Sequence, residues 1–395
     1  MHTVQVARNP NKIDYSGGLP GGFQSFLVIE DPRTGGNKRH HFGEVLFMVV
    51  TGVLCGMNGF TEIEEFCNED IEWFQKWIEL PNGIPRAQTF SNIFALIEPN
   101  QFNQCLVEHL STLYLALAAQ VIAVDGKALR GSHELKKGMD HAVSAWAADT
   151  GVTLAQEFVD HKSNEITAIP KLLAQLDLKG HIITLDAMGT QVRIARQILQ
   201  AGADYILALK GNQGDLHKEV TDHFEIALRH LDLKKAKDWS TSQETEKAHG
   251  RHTTRTVLST TNLAALDPTM RARWTGLTSL VVVETETTII STGKKRKREC
   301  RYYLSSVDAK AEFFQKAIRQ HWSIENQCHW VLDTCFREDH NQTSTAHAAK
   351  NLGTVRRIVL NILKEDPGQK GSLPSKRRRA LMNRTYRERL LALNT

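Results

Sequence analysis

Around Gln120 the chain changes its period. Between Phe42 and about Leu117, apolar residues recur every third or fourth position through GEVLFMVVTGVLCG, EIEEFCNEDIEWFQKWI, TFSNIFALI and FNQCLVEHLSTLYLAL. That is the spacing of amphipathic helices. Turn residues break the pattern at Gly56 to Gly59, Pro81 to Pro85 and Pro99, with Thr61 and Thr89 expected as N-caps. Trp73, Phe74 and Trp77 fall on this pattern and read as core. Beyond Gln120 come VIAVD, HAVSAWAAD and VTLAQEFVDHK, three short β-branched runs. The gaps between them are too short for helical crossovers, so they predict an antiparallel meander.

The rest of the pattern extends that sheet. Asn164 can cap a helix through Leu176, HIITLDA reads as a strand, Gln191 to Gln200 as a helix and YILALKG as a strand. Three strands, helix, strand, helix, strand is the element order of an α/β, RNase H-like (retroviral integrase-like) core; the assembly is inferred from the order. The expected division is a helical N-terminal domain over 1–118, the first part of the core over 119–211 and a β-rich insertion over 212–304. The core then resumes over 305–365, and a basic tail covers 366–395. Strands in the insertion are expected around TTRTVLST, TSLVVVETE and RYYLSSV, and helices over Ala309 to about Phe336 and Ala346 to Lys364.

A chain of 395 residues that is 41% apolar can bury a sizeable core, which excludes a mainly disordered protein. No basic start, apolar run and cleavage site occur together near Met1, so a cytoplasmic location is expected. The longest apolar runs fall short of the roughly 20 residues of a spanning helix, so no membrane segment is expected. Six cysteines without a CxxC pair point to reduced thiols rather than zinc or disulfides. The net charge is only +5, but it concentrates at Lys294 to Arg298 and in the tail from Lys370. Such runs are either solvated segments or nucleic-acid contacts.

Asp125 ends VIAVD and Asp186 ends IITLD, each followed by small or polar residues that leave its carboxylate clear. One acid at a strand end also serves as a cap or turn residue. Two acids at neighbouring strand ends repel each other, and a shared divalent cation relieves this. Glu325 lies in AIRQHWSIENQCHWVLDTCFRED with His321 and His329 at i−4 and i+4, on one helix face. Read alone it is an exposed helix acid paired with a neighbour. As a third carboxylate it completes an oxygen-rich site for two Mg2+ or Mn2+ ions acting on a phosphodiester. Neither HExxH nor a glycine-rich phosphate loop occurs, so zinc and a nucleotide cofactor are not expected. Lys127 and Lys210 follow the strand ends as phosphate contacts.

The strings VIAVDGKALRGS, DHKSNEITAIPKLLAQLDLKG, ITLDAMGTQ, YILALKGNQGDLH and IRQHWSIENQCHWVLDTCFRED together resemble the ISAs-type insertion-sequence transposases, which include the H-repeat-associated proteins of bacteria. The resemblance runs from DPR and LPNGIPRAQTF to NLGTVRRIVLNIL, nearly the whole chain. It implies a DDE transposase with an RNase H-like core, a β-rich insertion before the last acid, and metal-dependent cleavage and strand transfer at element ends. Motif by motif, Asp125 in VDGK, Asp186 in LDAMG and Glu325 in HWSIEN match the three acids. Related enzymes carry Arg four residues before the third acid and Lys seven after it. Here those positions hold His321 and Leu332, so His321 and His329 are the expected phosphate contacts in their place. The implied partners are double-stranded DNA, as terminal repeats and target, and a second copy of the chain when bound to it. A catalytically silent DNA-binding remnant and a nuclease acting on RNA are the rival readings.

Overall fold

The change of period at Gln120 is where the sheet begins. The computed structural model describes residues 26, 29–35, 38–115, 120–134, 138–159, 164–230, 236–343, 345–368 and 370–393, without the side chains of 109–115, 130–134 and 138–139. Before the sheet, the described residues form five α-helices, α1 (Phe42–Leu54), α2 (Phe60–Glu69), α3 (Ile71–Trp77), α4 (Ala87–Leu96) and α5 (Pro99–Leu115). Trp73 and Phe74 are fully buried, and Trp73 stacks on Phe47 of α1 with ring centroids 5.9 Å apart. Thr61 and Thr89 are not the caps. The helices start earlier, after Gly59 and Arg86, and Glu62 and Glu64 accept the N–H groups of Asn58 and Ala87 at their entrances.

The sheet takes β1 (Val121–Glu134), β2 (Gly138–Ala147) and β3 (Val152–Val159), then, after α6 (Glu165–Leu173), β4 (Ile182–Leu185) and, after α7 (Val192–Gln200), β5 (Asp204–Leu209). Asn164 stands at the start of α6 as expected, but its side chain makes no capping bond. Next come α8 (Gly214–His230), β6 (Trp239–Ala248), β7 (Arg251–Thr260), α9 (Pro268–Arg273), β8 (Ser279–Ile289) and β9 (Glu299–Ser305). The nine strands form one sheet in the order β3-β2-β1-β4-β5-β9-β8-β7-β6. The first three pair antiparallel, β4 and β5 run parallel to β1, and β9 returns antiparallel to β5, with Leu207 opposite Leu304. The segment expected as an insertion therefore adds four strands to the existing sheet. β6, with the polar sequence WSTSQETEKA, was not among the expected strands.

The chain then crosses the sheet in α10 (Ala311–His321), passes through a π-turn at Glu325–His329 into α11 (Trp330–Cys335), and enters α12 (Ala348–Glu365). Ala311, Phe314, Ala317 and Ile318 of α10 pack with Val121, Ile206, Val281 and Tyr303 of the strands, a helical stripe laid on the sheet. α12 is buried nearly all round. Its Asn351 amide donates to the carbonyls of Phe94 and Ile97, and Asn361 exchanges two 2.9 Å bonds with the backbone of Thr153. The second pair satisfies groups that the edge strand β3 would leave unpaired.

The last helices, α13 (Leu373–Met382) and α14 (Arg384–Leu390), are not a free basic tail. Arg377 is buried, donates to the carbonyls of Val53, Met57 and Cys335, and lies over the Phe336 ring. Arg387 is fully buried, bonded to Asp70 at 2.6 Å with its guanidinium 4.0 Å above the Trp73 ring. Much of the tail's charge is thus spent holding the two ends of the chain together. Lys294 to Lys297, by contrast, are exposed at the turn between β8 and β9. No described helix is long and apolar enough to cross a membrane.

Candidate active site

Parallel pairing places the first two acids side by side. Val124 of β1 is in register with Leu185 of β4, so Asp125 and Asp186 are the next residues on adjacent strands. Asp125 does not end its strand, as VIAVD predicts; β1 continues to Glu134 along β2, and Asp125 marks where β1 parts from β4. After Leu185 the chain turns at once. Asp186 Oδ1 accepts the Gly189 N–H at 3.0 Å, and Thr190 ties the turn to the Ala208 carbonyl of β5. Lys210 follows β5 at this same end of the parallel strands and is exposed.

Glu325 is delivered by the helix that crosses the sheet. The turn it begins is wider than an α-turn, since the Trp330 N–H donates to the Glu325 carbonyl five residues back. Such π-turns occur mostly as single turns inside helices and often at functional sites. His329 Nδ1 lies 3.2 Å from Glu325 Oε2 and 3.6 Å from Asp125 Oδ2. One ligand atom from each of Asp125, Glu325 and His329 falls within 4.8 Å of the others, a group that could hold a metal ion. Asp186 stands beside this group without being part of it.

The donor chemistry fits a divalent cation. Burial, with the charges of Asp186 and Glu325, pushes the Asp125 carboxyl up to about 6 against the pull of His329. A cation among these groups removes that repulsion. The hydrogen bond from His329 holds Glu325 below its ordinary value. His329 Nε2 is buried without a hydrogen-bond partner. Carboxylate oxygens suit hard ions such as Mg2+ and Mn2+.

Three of the expected phosphate contacts have other surroundings. Lys127, two residues beyond Asp125 and on the same face of β1, is buried with its ammonium 2.7 Å from Asp333, 3.0 Å from Asp339 and 3.7 Å from Glu338. Burial opposes its charge, but these carboxylates outweigh that and raise its pKa. An ammonium so surrounded has no positive charge to spare for a phosphate. It pins α11 and the turn after it to β1, fixing Glu325 relative to Asp125. Buried Arg357 and Arg356 complete the network at Glu338, 3.0 and 4.0 Å away. His321 shares a 2.8 Å hydrogen bond with Thr184 of β4, and burial lowers its pKa to about 4, so it is neutral at pH 7. His329 is only 4% exposed and faces the two acids.

Sequence reading missed the exposed large apolar residues close to the acids along the chain. Met188, Trp322 and Trp330 are 47%, 44% and 60% exposed, within five residues of Asp186 or Glu325, and Arg301 lies 4.8 Å from the Trp322 ring centroid. A helical apolar stripe conceals which aromatic residue faces outward when a π-turn intervenes.

The family model of the Transposase DDE domain matches residues 117–362, and that described as DDE_Tnp_1-associated matches 23–110. The chain belongs to the DDE transposases. It is 36% identical over 373 residues to "Putative transposase YncI" of Escherichia coli O157:H7, covering 92% of this chain and 93% of that one. It is also 36% identical over 369 residues to "H repeat-associated putative transposase YhhI" of Escherichia coli strain K12, covering 92% and 96%. The family read from VIAVDGKALRGS through IRQHWSIENQCHWVLDTCFRED is therefore the one these comparisons give. Both Asp125 and Asp186, with Glu325, lie inside the matched DDE transposase domain.

Proposed function

We propose that this DDE transposase binds the terminal repeats of a bacterial insertion sequence and cuts and rejoins DNA there, with Asp125, Asp186 and Glu325 holding two Mg2+ or Mn2+ ions. The observation that carries the reading is the convergence of Asp125, Glu325 and His329 beside Asp186, where the parallel pairing of β1 and β4 ends in a DDE transposase domain. The strand order β3-β2-β1-β4-β5, three antiparallel and two parallel, supports an RNase H-like arrangement of this part of the sheet.

Divalent ions held by Asp125, Asp186 and Glu325 would supply the positive charge that phosphodiester hydrolysis and strand transfer require. The chain's own part is placement. Asp125 is fixed by strand pairing, Asp186 by the turn that follows β4, Glu325 by the π-turn, and Lys127 holds the helix and strand at a set spacing. His329 orients the Glu325 carboxylate through its 3.2 Å contact. Lys210 and the exposed run Lys294 to Lys297 meet the phosphate backbone, and the exposed Trp322 and Trp330 offer faces for bases near the cut. The helices α1 to α5 help read the repeats. Pairing two element ends requires two copies on DNA, and the protein works in the cytoplasm on nucleoid DNA.

The test is cleavage of a labelled duplex carrying the element's own flanking repeats, with Mg2+ or Mn2+, by the wild type, Asp186→Ala and Glu325→Ala. Cuts at the repeat boundary that both variants lose are expected. Repeat-specific binding by the wild type without any cutting would overturn the enzyme and leave a DNA-binding regulator.

A further inference from the structure

Gly126 sits between Asp125 and Lys127, and its backbone gives no reason for glycine: it pairs regularly with Val143, and its φ is not positive. What excludes a side chain is Glu165. A Cβ at 126 would fall 2.7 Å from Glu165 Oε2 and nearer still to the rest of the carboxylate. The first residue of α6 thus lays its acid against β1 at Gly126, the residue after Asp125. An acid in a helix's first turn ordinarily serves the helix dipole in solvent. This one is 22% exposed, and its ion-pair partner, His141 Nδ1, is 3.9 Å away on β2.

The carboxylates therefore fall into two sets. Asp125 and Glu325 share one space with His329. Asp186 and Glu165 stand outside that group, and Asp186 is the charge that acts most strongly on Glu165; burial and that charge raise its pKa. Asp125 precedes Gly126 in sequence and is next to Asp186 across the strands, and Ile169 of the same helix α6 reaches the Asp186 turn at Gly189. Two ions each need several oxygen ligands, and three carboxylates supply few.

We propose that Glu165 is a fourth carboxylate of this site, holding a divalent ion together with Asp186 beside the ion taken by Asp125 and Glu325, and that Gly126 is glycine to admit it. The inference rests on the metal-dependent reading above. With its side chain at this place, Glu165 enters from a helix that carries none of the other three acids, so the position of α6 sets the geometry of the second ion.

The test is Mn2+ binding to the full chain without DNA, counted from the electron paramagnetic resonance signal of the free ion. Wild type, Glu165→Gln, Gly126→Ala and Asp125→Asn are compared, with the thermal unfolding of each metal-free protein. Two ions are expected in the wild type. Glu165→Gln and Gly126→Ala should keep one and bind the other at least about 10-fold more weakly, and Asp125→Asn should lose both. Gly126→Ala retains every carboxylate and only displaces Glu165, so the same loss in both variants assigns the effect to its position. Glu165→Gln should unfold at or above the wild-type temperature, because it removes a repelled charge. Wild-type Mn2+ binding in Glu165→Gln overturns the proposal; if Mn2+-dependent cutting is still lost in Asp186→Ala, the transposase reading survives it. A wild type that binds no Mn2+ and cuts nothing overturns both.

Discussion

At the scale of single residues the site is a balance of charge that burial makes sharp. Asp125 keeps its proton up to about pH 6, against an ordinary 3.8, so between those values the folded chain binds more protons than the unfolded one. Stability without a divalent ion should therefore fall as pH rises from about 4 to about 6. The urea midpoint measured against pH should show this decline in the wild type, a weaker one in Asp125→Asn, and a smaller one when Mg2+ is present. Lys127 belongs to the same balance with the opposite sign. Lys127→Met leaves Glu338, Asp333 and Asp339 without their shared cation, and should cost on the order of 3 kcal/mol in chemical denaturation. The spacing of VDGK invites a phosphate contact at that lysine, and only its three acidic neighbours, about 210 residues further along, reveal the other use. Glu165 was illegible for a related reason: an acid after Asn164 reads as a first-turn residue, and no pattern within α6 discloses what lies above it.

At the scale of elements, the exposed turn between β8 and β9 is a plain candidate for meeting DNA. Replacing Lys294, Lys295 and Lys297 by Ala should weaken binding evenly across sequences, and flatten the plot of log K against log salt by about 0.9 for each phosphate that is no longer neutralised. Mn2+ binding should be untouched. How far the elements could be read follows from their chemistry. β1 to β5 declare themselves through β-branched runs, and α10 through its apolar stripe at Phe314 and Ile318. β6 does not, because both of its faces are mostly polar, with Thr241, Gln243, Thr245 and Lys247 on one and Ser240, Ser242, Glu244 and Glu246 on the other, and it pairs as a strand against β7. The reach of α12 is also hidden: Asn351, Arg356, Arg357 and Asn361 look like the polar face of a surface helix until α4, β3 and Glu338 are packed against them.

At the scale of the molecule, the basic C-terminal residues act as a fastening. Arg387→Met should leave Asp70 without its buried partner and uncover the Trp73 ring, lowering the unfolding temperature more than it lowers DNA affinity in the protein that remains folded. Thermal unfolding and repeat binding on the same preparation check the order of the two effects. The fastening also has a consequence in time. Asp70 and Arg387 are 317 residues apart, which at about 5–20 residues per second is roughly 15–60 seconds of synthesis. Until the later part emerges, the helices made first lack α12, α13 and α14 and keep their aromatic core open. A chain released early would expose that core, and is expected to be a substrate for chaperones and proteases.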